Sequence, residues 1–445
     1  MKKPLIVSNI FFVSLCLVFA VLFFREQNQA ASIFSDHRKS AVVKAVQLAA
    51  PAVVNISTFQ RIEKAKDPFG RMADMPQPEN SKDETATTIG SGVIIDHRGF
   101  ILTNEHVISM GSSFQITLAD NRKFSATVKG SDADLDLAIL QIDNLNASEN
   151  LPLIRIGKSK DLLIGETVIA IGNPYRLGHT VTSGIVSALS RNIRQGNRVY
   201  SDFIQTDAPI YAGSSGGPLL NINGEMIGIN TAVLEGSTGI GFAIPIDNVM
   251  RVVEDLIEHG EVRGVWLGMF LSEVTTGPYR LKVAYVHPQG PAATAKIRTG
   301  DFLLAIDGKQ IDSIQAFRRT IRGYTVDNQI RLSMLRDDDT FQTTLKALEF
   351  PRDLAMSLGR SLIGIGVAEI PNSDGVLVDL VQGNTPARII GIKPGDIIRQ
   401  VGDITIRHLE DYKTAVIRVR HQKSILLLVQ RGEIGYYISL RTSFS

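Results

Sequence analysis

A chain of 445 residues with 44% hydrophobic and 21% charged residues has the make-up of two to four globular domains, which excludes a disordered or low-complexity protein. Lys and Arg number 47 against 45 Asp and Glu; a net charge of +2 steers no polyanion, and no basic cluster with interleaved aromatics points to nucleic acid. The one cysteine, Cys16, lies in an N-terminal apolar stretch, so no intramolecular disulfide can staple the body.

Residues 5–24 are nearly all apolar, interrupted mainly by Ser8, Asn9 and Ser14. At ~1.5 Å per residue such a helix reaches about 30 Å, enough to cross a bilayer core. Arg25-Glu26-Gln27-Asn28-Gln29 follows directly where a cleavable signal would carry a small-x-small site, and Lys2 and Lys3 favour a cytoplasmic N-terminus. The reading is an uncleaved anchor with the body outside, the alternative a cleaved signal peptide. Leu15 before Cys16 argues against lipidation.

Residues 40–52 read as a short helix leading into a strand at Val53-Val54-Asn55-Ile56-Ser57, and residues 61–88, rich in charge, Pro and Met without periodicity, as a mobile loop. From residue 88 to about 245, short β runs alternate with Gly, Asn and Asp. Examples are residues 90–95, 114–118, 167–172 and 182–187, and their regular spacing predicts an all-β barrel pair. A helix follows with Asp247 as N-cap, Val249, Met250, Val253, Leu256 and Ile257 on one face, and Gly260 closing it. Beyond it the chain repeats: Pro291-Ala292-Ala293 through Thr299-Gly300-Asp301 realigns on Pro386-Ala387-Arg388 through Pro394-Gly395-Asp396 at an offset of 95 residues, too long for a solenoid unit and right for tandem domains.

Gly213-Ser214-Ser215-Gly216-Gly217-Pro218 puts a hydroxyl inside a glycine run that can turn its own N–H groups toward whatever Ser215 attacks. Serine is a poor nucleophile unless a base takes its proton, and the base needs a third group to hold its tautomer. Thr103-Asn104-Glu105-His106-Val107 supplies the histidine and Asp136-Leu137-Ala138-Ile139-Leu140 the aspartate; Asp136 is preferred over Asp132 and Asp134 because it alone heads that block. The order His106, Asp136, Ser215 is that of chymotrypsin-type double β-barrels, unlike those of subtilisins or α/β-hydrolases. The eight histidines are scattered and no His-Glu-x-x-His occurs, so no metal and no cofactor is expected.

These blocks, with Gln205-Thr206-Asp207-Ala208, Gly172-Asn173-Pro174 and Gly239-Ile240-Gly241-Phe242-Ala243-Ile244-Pro245, resemble the signature segments of the HtrA/Deg family of serine proteases over nearly all of the chain beyond the first thirty residues. The resemblance implies a mainly β fold: a chymotrypsin-like double β-barrel followed by two α+β PDZ domains, with an N-terminal transmembrane helix. The divisions would be residues 1–30 (anchor or signal), 31–262 (protease), 263–352 and 353–445 (PDZ). The oxyanion hole would be the N–H groups of Gly213 and Ser215. The family usually carries Asn before the nucleophile, where this chain has Ser214. Lacking an acid there, the chain has no partner for a newly cut N-terminus, so control is expected from loop ordering near residues 190–200, 209–213 and 234–238.

Six residues before Ser215, where trypsins place a carboxylate for Arg or Lys, stands Pro209. With Ile210 nearby and Ile229-Asn230-Thr231-Ala232 as the substrate-pairing strand, the pocket is expected to be small and apolar, and the resemblance implies cleavage after Val, Ala or Ile. It also implies that Leu267-Gly268-Met269 and Ile363-Gly364-Ile365 turn N–H groups toward a peptide's C-terminal carboxylate. The expected protein is a trimeric or larger endopeptidase of the bacterial cell envelope acting on unfolded or regulatory proteins, at the inner membrane facing the periplasm or soluble within it. The competing expectation is a peptide-binding scaffold or chaperone with a vestigial protease fold.

Overall fold

The computed structural model describes residues 39–61, 84–109, 111–146, 149–173, 178–195, 198–211, 213–231, 239–275, 277–420, 422 and 424–442. The anchor expected at residues 5–24 lies outside them; among the described residues no helix is long and apolar enough to cross a membrane. The chain divides into two compact units, residues 1–261 and 262–445.

In the first unit, helix α1 (Ala41–Ala49) starts where Ser40 accepts a hydrogen bond from the Val43 N–H, then tightens into a 3-10 turn over Ala50–Ala52. Six strands follow: β1 (Val53–Arg61), β2 (Glu84–Ile94), β3 (Phe100–Thr103), β4 (Ser113–Thr117), β5 (Lys123–Asp132) and β6 (Leu137–Ile142). They close a barrel in the order β1-β2-β3-β6-β5-β4 around Val54, Ile56, Ile94, Ile101, Ile116 and Leu140. The short helix α2 (Glu105–Ile108) interrupts the barrel after β3. Both ends of the loop expected at residues 61–88 are strand: Arg61 pairs with Glu84 and Gln60 with Thr85. Cross-strand pairing here overrides the polar composition that reads as loop.

The second sheet comprises β7 (Arg155–Ile156), β8 (Thr167–Gly172), β9 (Thr180–Gln195), β10 (Arg198–Thr206), β11 (Pro218–Asn221), β12 (Glu225–Thr231) and β13 (Gly241–Pro245). Its order is β11-β8-β9-β10-β13-β12-β7, and a further β11–β12 pairing brings the first strand of that order back onto the last but one, around Val168, Val186, Ile204, Leu219 and Ile227. Helix α3 (Ile246–His259) ends at Gly260, left-handed at φ 76°. Two details differ from the sequence reading. Asp247 lies inside the first turn, behind Pro245 as N-cap, because its carboxylate instead accepts from Ser159 N–H, Ser159 Oγ and Lys160 N–H. On the helix face, Val252 is buried while Met250 is exposed.

The second unit carries the repeat twice. Strands β14 (Val265–Trp266), β15 (Met269–Glu273), β16 (Leu281–Val286), β17 (Phe302–Ile306), β18 (Lys309–Gln310), β19 (Gln329–Arg336), β20 (Asp339–Lys346) and β21 (Leu348–Glu349) come with helices α4 (Pro291–Thr294) and α5 (Ile314–Arg322). The second copy begins with helix α6 (Ala355–Leu362) and continues through β22 (Ile365–Glu369), β23 (Val376–Val381), α7 (Pro386–Ile390), β24 (Ile397–Val401), β25 (Ile404–Thr405), α8 (Leu409–Val419), β26 (Ser424–Arg431) and β27 (Ile434–Arg441). The sheets share one topology, β15-β16-β17-β19-β20 and β22-β23-β24-β26-β27. Even an ion pair on a buried carboxylate repeats: Asp301 with Arg336 at 2.7 Å and Asp396 with Arg431 at 2.7 Å. In both, the guanidinium hydrogen bond works with backbone N–H donors to hold the carboxyl pKa down; burial, which acts the other way, is the largest single influence on Asp301.

Candidate active site

Asp136 follows the turn in which the Asp132 carboxylate accepts the N–H groups of Asp134 and Leu135. Its backbone is left-handed at φ 54°, a conformation Asp tolerates better than most residues. The carboxylate is only 4% exposed, while the His106 side chain is 43% exposed, so the pair offers an accessible imidazole backed by a sealed anion. The anion is fully engaged. His106 Nδ1 lies 2.8 and 2.9 Å from its two oxygens, the His106 N–H donates to Oδ1 at 3.1 Å, and the Thr231 hydroxyl donates to Oδ2 at 3.1 Å. Asn104 Nδ2 donates to the Asp136 carbonyl at 2.9 Å, fixing the turn from the other side.

Burial opposes a charged imidazole, but the hydrogen bond and charge of Asp136, aided by Glu105, outweigh it and raise the His106 pKa above the ordinary value of 6.5. With Nδ1–H committed to Asp136, Nε2 is the nitrogen that can accept a proton.

The loop bearing Ser215 is tied to the same place. Gly216 N–H donates to the Asn230 carbonyl at 2.9 Å, and the next residue, Thr231, holds Asp136. Gly216, at φ 83°, cannot be another residue: a Cβ there would collide with the Ser91 carbonyl and the Thr103 hydroxyl. Ser91 N–H donates to the Ser215 carbonyl at 2.9 Å, and Thr103, three residues before His106, donates its hydroxyl to the Ser91 carbonyl at 2.7 Å. Ser214 is buried against Gly172, where an added Cβ would meet Ser214 Oγ at 2.5 Å. Gly213 is left-handed at φ 89°.

The expected specificity residues fall into two groups. Ile210 is half-buried, and a Cβ on Gly241 would meet its Cδ1 at 2.9 Å. Ile229, Asn230 and Thr231 are buried, and both main-chain groups of Asn230 are engaged, its N–H with Gly217 O at 2.8 Å and its carbonyl with Gly216. Strand β12 pairs with β13 through Thr231 and with β11 as far as Ile229, so the main chain at Ile229 and Asn230 is engaged on both sides. Ala232 lies outside the described residues.

The two PDZ loops also differ. Gly268, at φ 72°, leads into β15, with its carbonyl accepting from His287 N–H and the Leu267 carbonyl from Ala292 N–H. At the second loop, Ile363 N–H and Gly364 N–H both donate to the Gly359 carbonyl, at 3.0 and 3.3 Å. That carbonyl belongs to α6, which packs on both β22 and α8 and presses Gly359 against the buried Tyr412 ring. Of the Ile363-Gly364-Ile365 loop, the N–H groups of Ile363 and Gly364 are thus taken by the chain's own helix.

Sequence reasoning gave Ser91, Thr103 and Asn104 no role at the site, and set Thr231 on a substrate-pairing strand without its bond to Asp136. A hydroxyl just past the apolar run Met226-Ile227-Gly228-Ile229 is the signal that could have found the Thr231 contact, since a polar side chain buried with such a strand needs a partner.

Comparison with known proteins gives three family matches: a trypsin-like peptidase domain over residues 90–229 and PDZ domains over residues 227–347 and 377–431. A DegP-like periplasmic serine endoprotease of Halomonas elongata is 33% identical over 442 residues, covering 89% of this chain and 92% of that protein. The periplasmic serine endoprotease DegP of Salmonella typhimurium is 37% identical over 372 residues, covering 79% and 76%. Among solved structures, the HtrA-type protease AlgW with a decapeptide is 34% identical, covering 70% of this chain and 99% of that one, with a TM-score of 0.49.

Proposed function

The chain belongs to the HtrA/Deg family of serine proteases and is a serine endopeptidase, and from that premise we propose that Ser215 attacks the peptide carbonyl, His106 takes its proton and passes it to the departing amine, and Asp136 holds the imidazole. The observation that carries this reading is the paired contact of His106 Nδ1 with both oxygens of a buried Asp136. The tetrahedral oxyanion is received by the N–H groups of Gly213 and Ser215. The divisions at residues 31–262, 263–352 and 353–445 are part of the proposal.

Cleavage follows small aliphatic residues. Pro209 supplies no anion for a basic side chain, and Ile210 lies over Gly241, where a pocket floor would be. A peptide-library screen is expected to return Val, Ala or Ile on the acyl side of the cut; a preference for Arg or Lys would refute the assignment.

The site of action is the periplasm, in keeping with the relatives' names. The apolar residues 5–24 anchor the chain at the inner membrane, the working form is a homotrimer or larger, and the substrates are unfolded or regulatory proteins. A C-terminal peptide binds at Leu267-Gly268-Met269 of the first PDZ module and stimulates cleavage. Gly268→Val, which forces a side chain against Gly290, is expected to weaken binding of a fluorescent C-terminal peptide by roughly tenfold or more. Unchanged anisotropy titrations, or cleavage kinetics indifferent to the peptide, would overturn this coupling.

A further inference from the structure

We propose that Ser91 is the positioning residue of the oxyanion hole, clamping both peptide planes that flank the Ser214–Ser215 amide; this rests on the assignment of Ser215 as nucleophile and of its N–H as an oxyanion donor. Ser91 lies on β2, fully buried, and does not belong to the triad. Its hydroxyl donates to the Gly213 carbonyl at 2.6 Å and accepts from the Asn173 N–H at 2.8 Å, while its own N–H donates to the Ser215 carbonyl at 2.9 Å.

The consequences follow plane by plane. In the Gly213–Ser214 peptide, the carbonyl is held by Ser91 Oγ and the N–H by the Tyr211 carbonyl at 2.9 Å. In the Ser215–Gly216 peptide, the carbonyl is held by Ser91 N–H and the Gly216 N–H by Asn230. The plane between them has its carbonyl bonded to Gly217 N–H at 3.1 Å, which directs the opposed Ser215 N–H to the other side. A loop rich in glycine has several orientations open to each peptide plane, and a donor stabilises an oxyanion only where its direction is set beforehand. One residue restrains both flanks at once, the Gly213 side through its hydroxyl and the Ser215 side through its main-chain N–H. The Asn173 N–H gives the hydroxyl a second partner, so its proton is directed to Gly213, and the Thr103 hydroxyl on the Ser91 carbonyl couples the clamp to the segment carrying His106.

The test compares full-length Ser91→Ala and Ser91→Cys with the wild type, reading kcat, KM, affinity for a peptide boronate whose adduct with serine is tetrahedral, and the thermal midpoint. Ser91→Ala keeps the main-chain bond to Ser215 and loses the hydroxyl arm to Gly213, which is expected to lower kcat and boronate affinity in step by about 10- to 100-fold, less than the 10²–10³ for an oxyanion donor removed outright, with KM unchanged within about twofold. Ser91→Cys, which keeps a weak donor, is expected to lie between the two. Wild-type kcat in a folded Ser91→Ala, a fall in kcat without a matching fall in boronate affinity, or failure of both variants to fold would each overturn the proposal. The nucleophile assignment is separated by fluorophosphonate labelling: if Ser91→Ala still labels at Ser215, the triad reading stands whatever becomes of the clamp, and labelling elsewhere removes that reading first.

Discussion

Ser215→Ala and His106→Ala are each expected to lower kcat on an unfolded-protein substrate by on the order of 10⁶, leaving the fold intact and substrate bound but uncut. The magnitude follows from the division of labour. In the proposed mechanism the Ser215 hydroxyl supplies the only bond-forming atom, and at neutral pH it attacks only as its proton passes to a base. Removing either group leaves the oxyanion donors and binding determinants, which retain catalysis over water but no route to an acyl-enzyme. Neither change removes a carbonyl or N–H of the loop, and the bonds from Ser91 and Asn230 that shape it are main-chain contacts on the Ser215 side. Thermal midpoints close to wild type are therefore expected. A variant lacking the Ser215 hydroxyl that still cleaved at the normal rate would rule the assignment out.

Asp136→Asn is expected to lower kcat by about 10⁴ and to move the acidic limb of the pH profile downward. The carboxylate does two things an amide cannot. It accepts the Nδ1 proton with two oxygens, fixing the tautomer with Nε2 free, and it stabilises the imidazolium formed during attack. His106 works as a base only when neutral. Its pKa is raised above 6.5, so kcat/KM climbs with pH through that raised value and levels off above it. With the charge gone, burial dominates and the limb shifts to lower pH. The linked effect on stability has a definite sign: the charged pair contributes fully below the unfolded imidazole pKa, and the contribution is lost as pH rises through the raised folded value. A profile whose acidic limb stays in place in Asp136→Asn would deny the contact its role.

The parts of this architecture legible in the sequence are those with local signatures. Strand β8 coincides with the apolar run at residues 167–172, Ser40 caps α1, Gly260 ends α3, and the 95-residue repeat foretells two sheets of one topology. Asp136 is set apart from Asp132 and Asp134 in the sequence by heading the Asp136-Leu137-Ala138-Ile139-Leu140 block, and in the structure Asp132 shapes its own turn while Asp136 meets the histidine. What stayed hidden depends on contacts distant in sequence. Thr231 reads as part of a substrate-pairing strand, and its bond to a carboxylate 95 positions away shows only once β12 is in place. Ser91 reads as a spacer between glycines until the fold sets it under Gly213, 122 positions on. Asp247 has the right chemistry for an N-cap, but Ser159 and Lys160 offer three donors and take its carboxylate. Helix α6 has no strong cap of its own and draws its stability from packing on Tyr412 and β22, so no local pattern marks it.

Triad members acting as one unit produce losses that do not add, whereas independent groups multiply. The most direct measurement is therefore kcat for Ser215→Ala, His106→Ala and the double variant on one peptide ending its acyl side in Val. The double variant is expected to retain the residual rate of either single variant within about threefold. A double variant slower than both by a further factor of 10³ or more, or a single variant with near wild-type turnover, would contradict it.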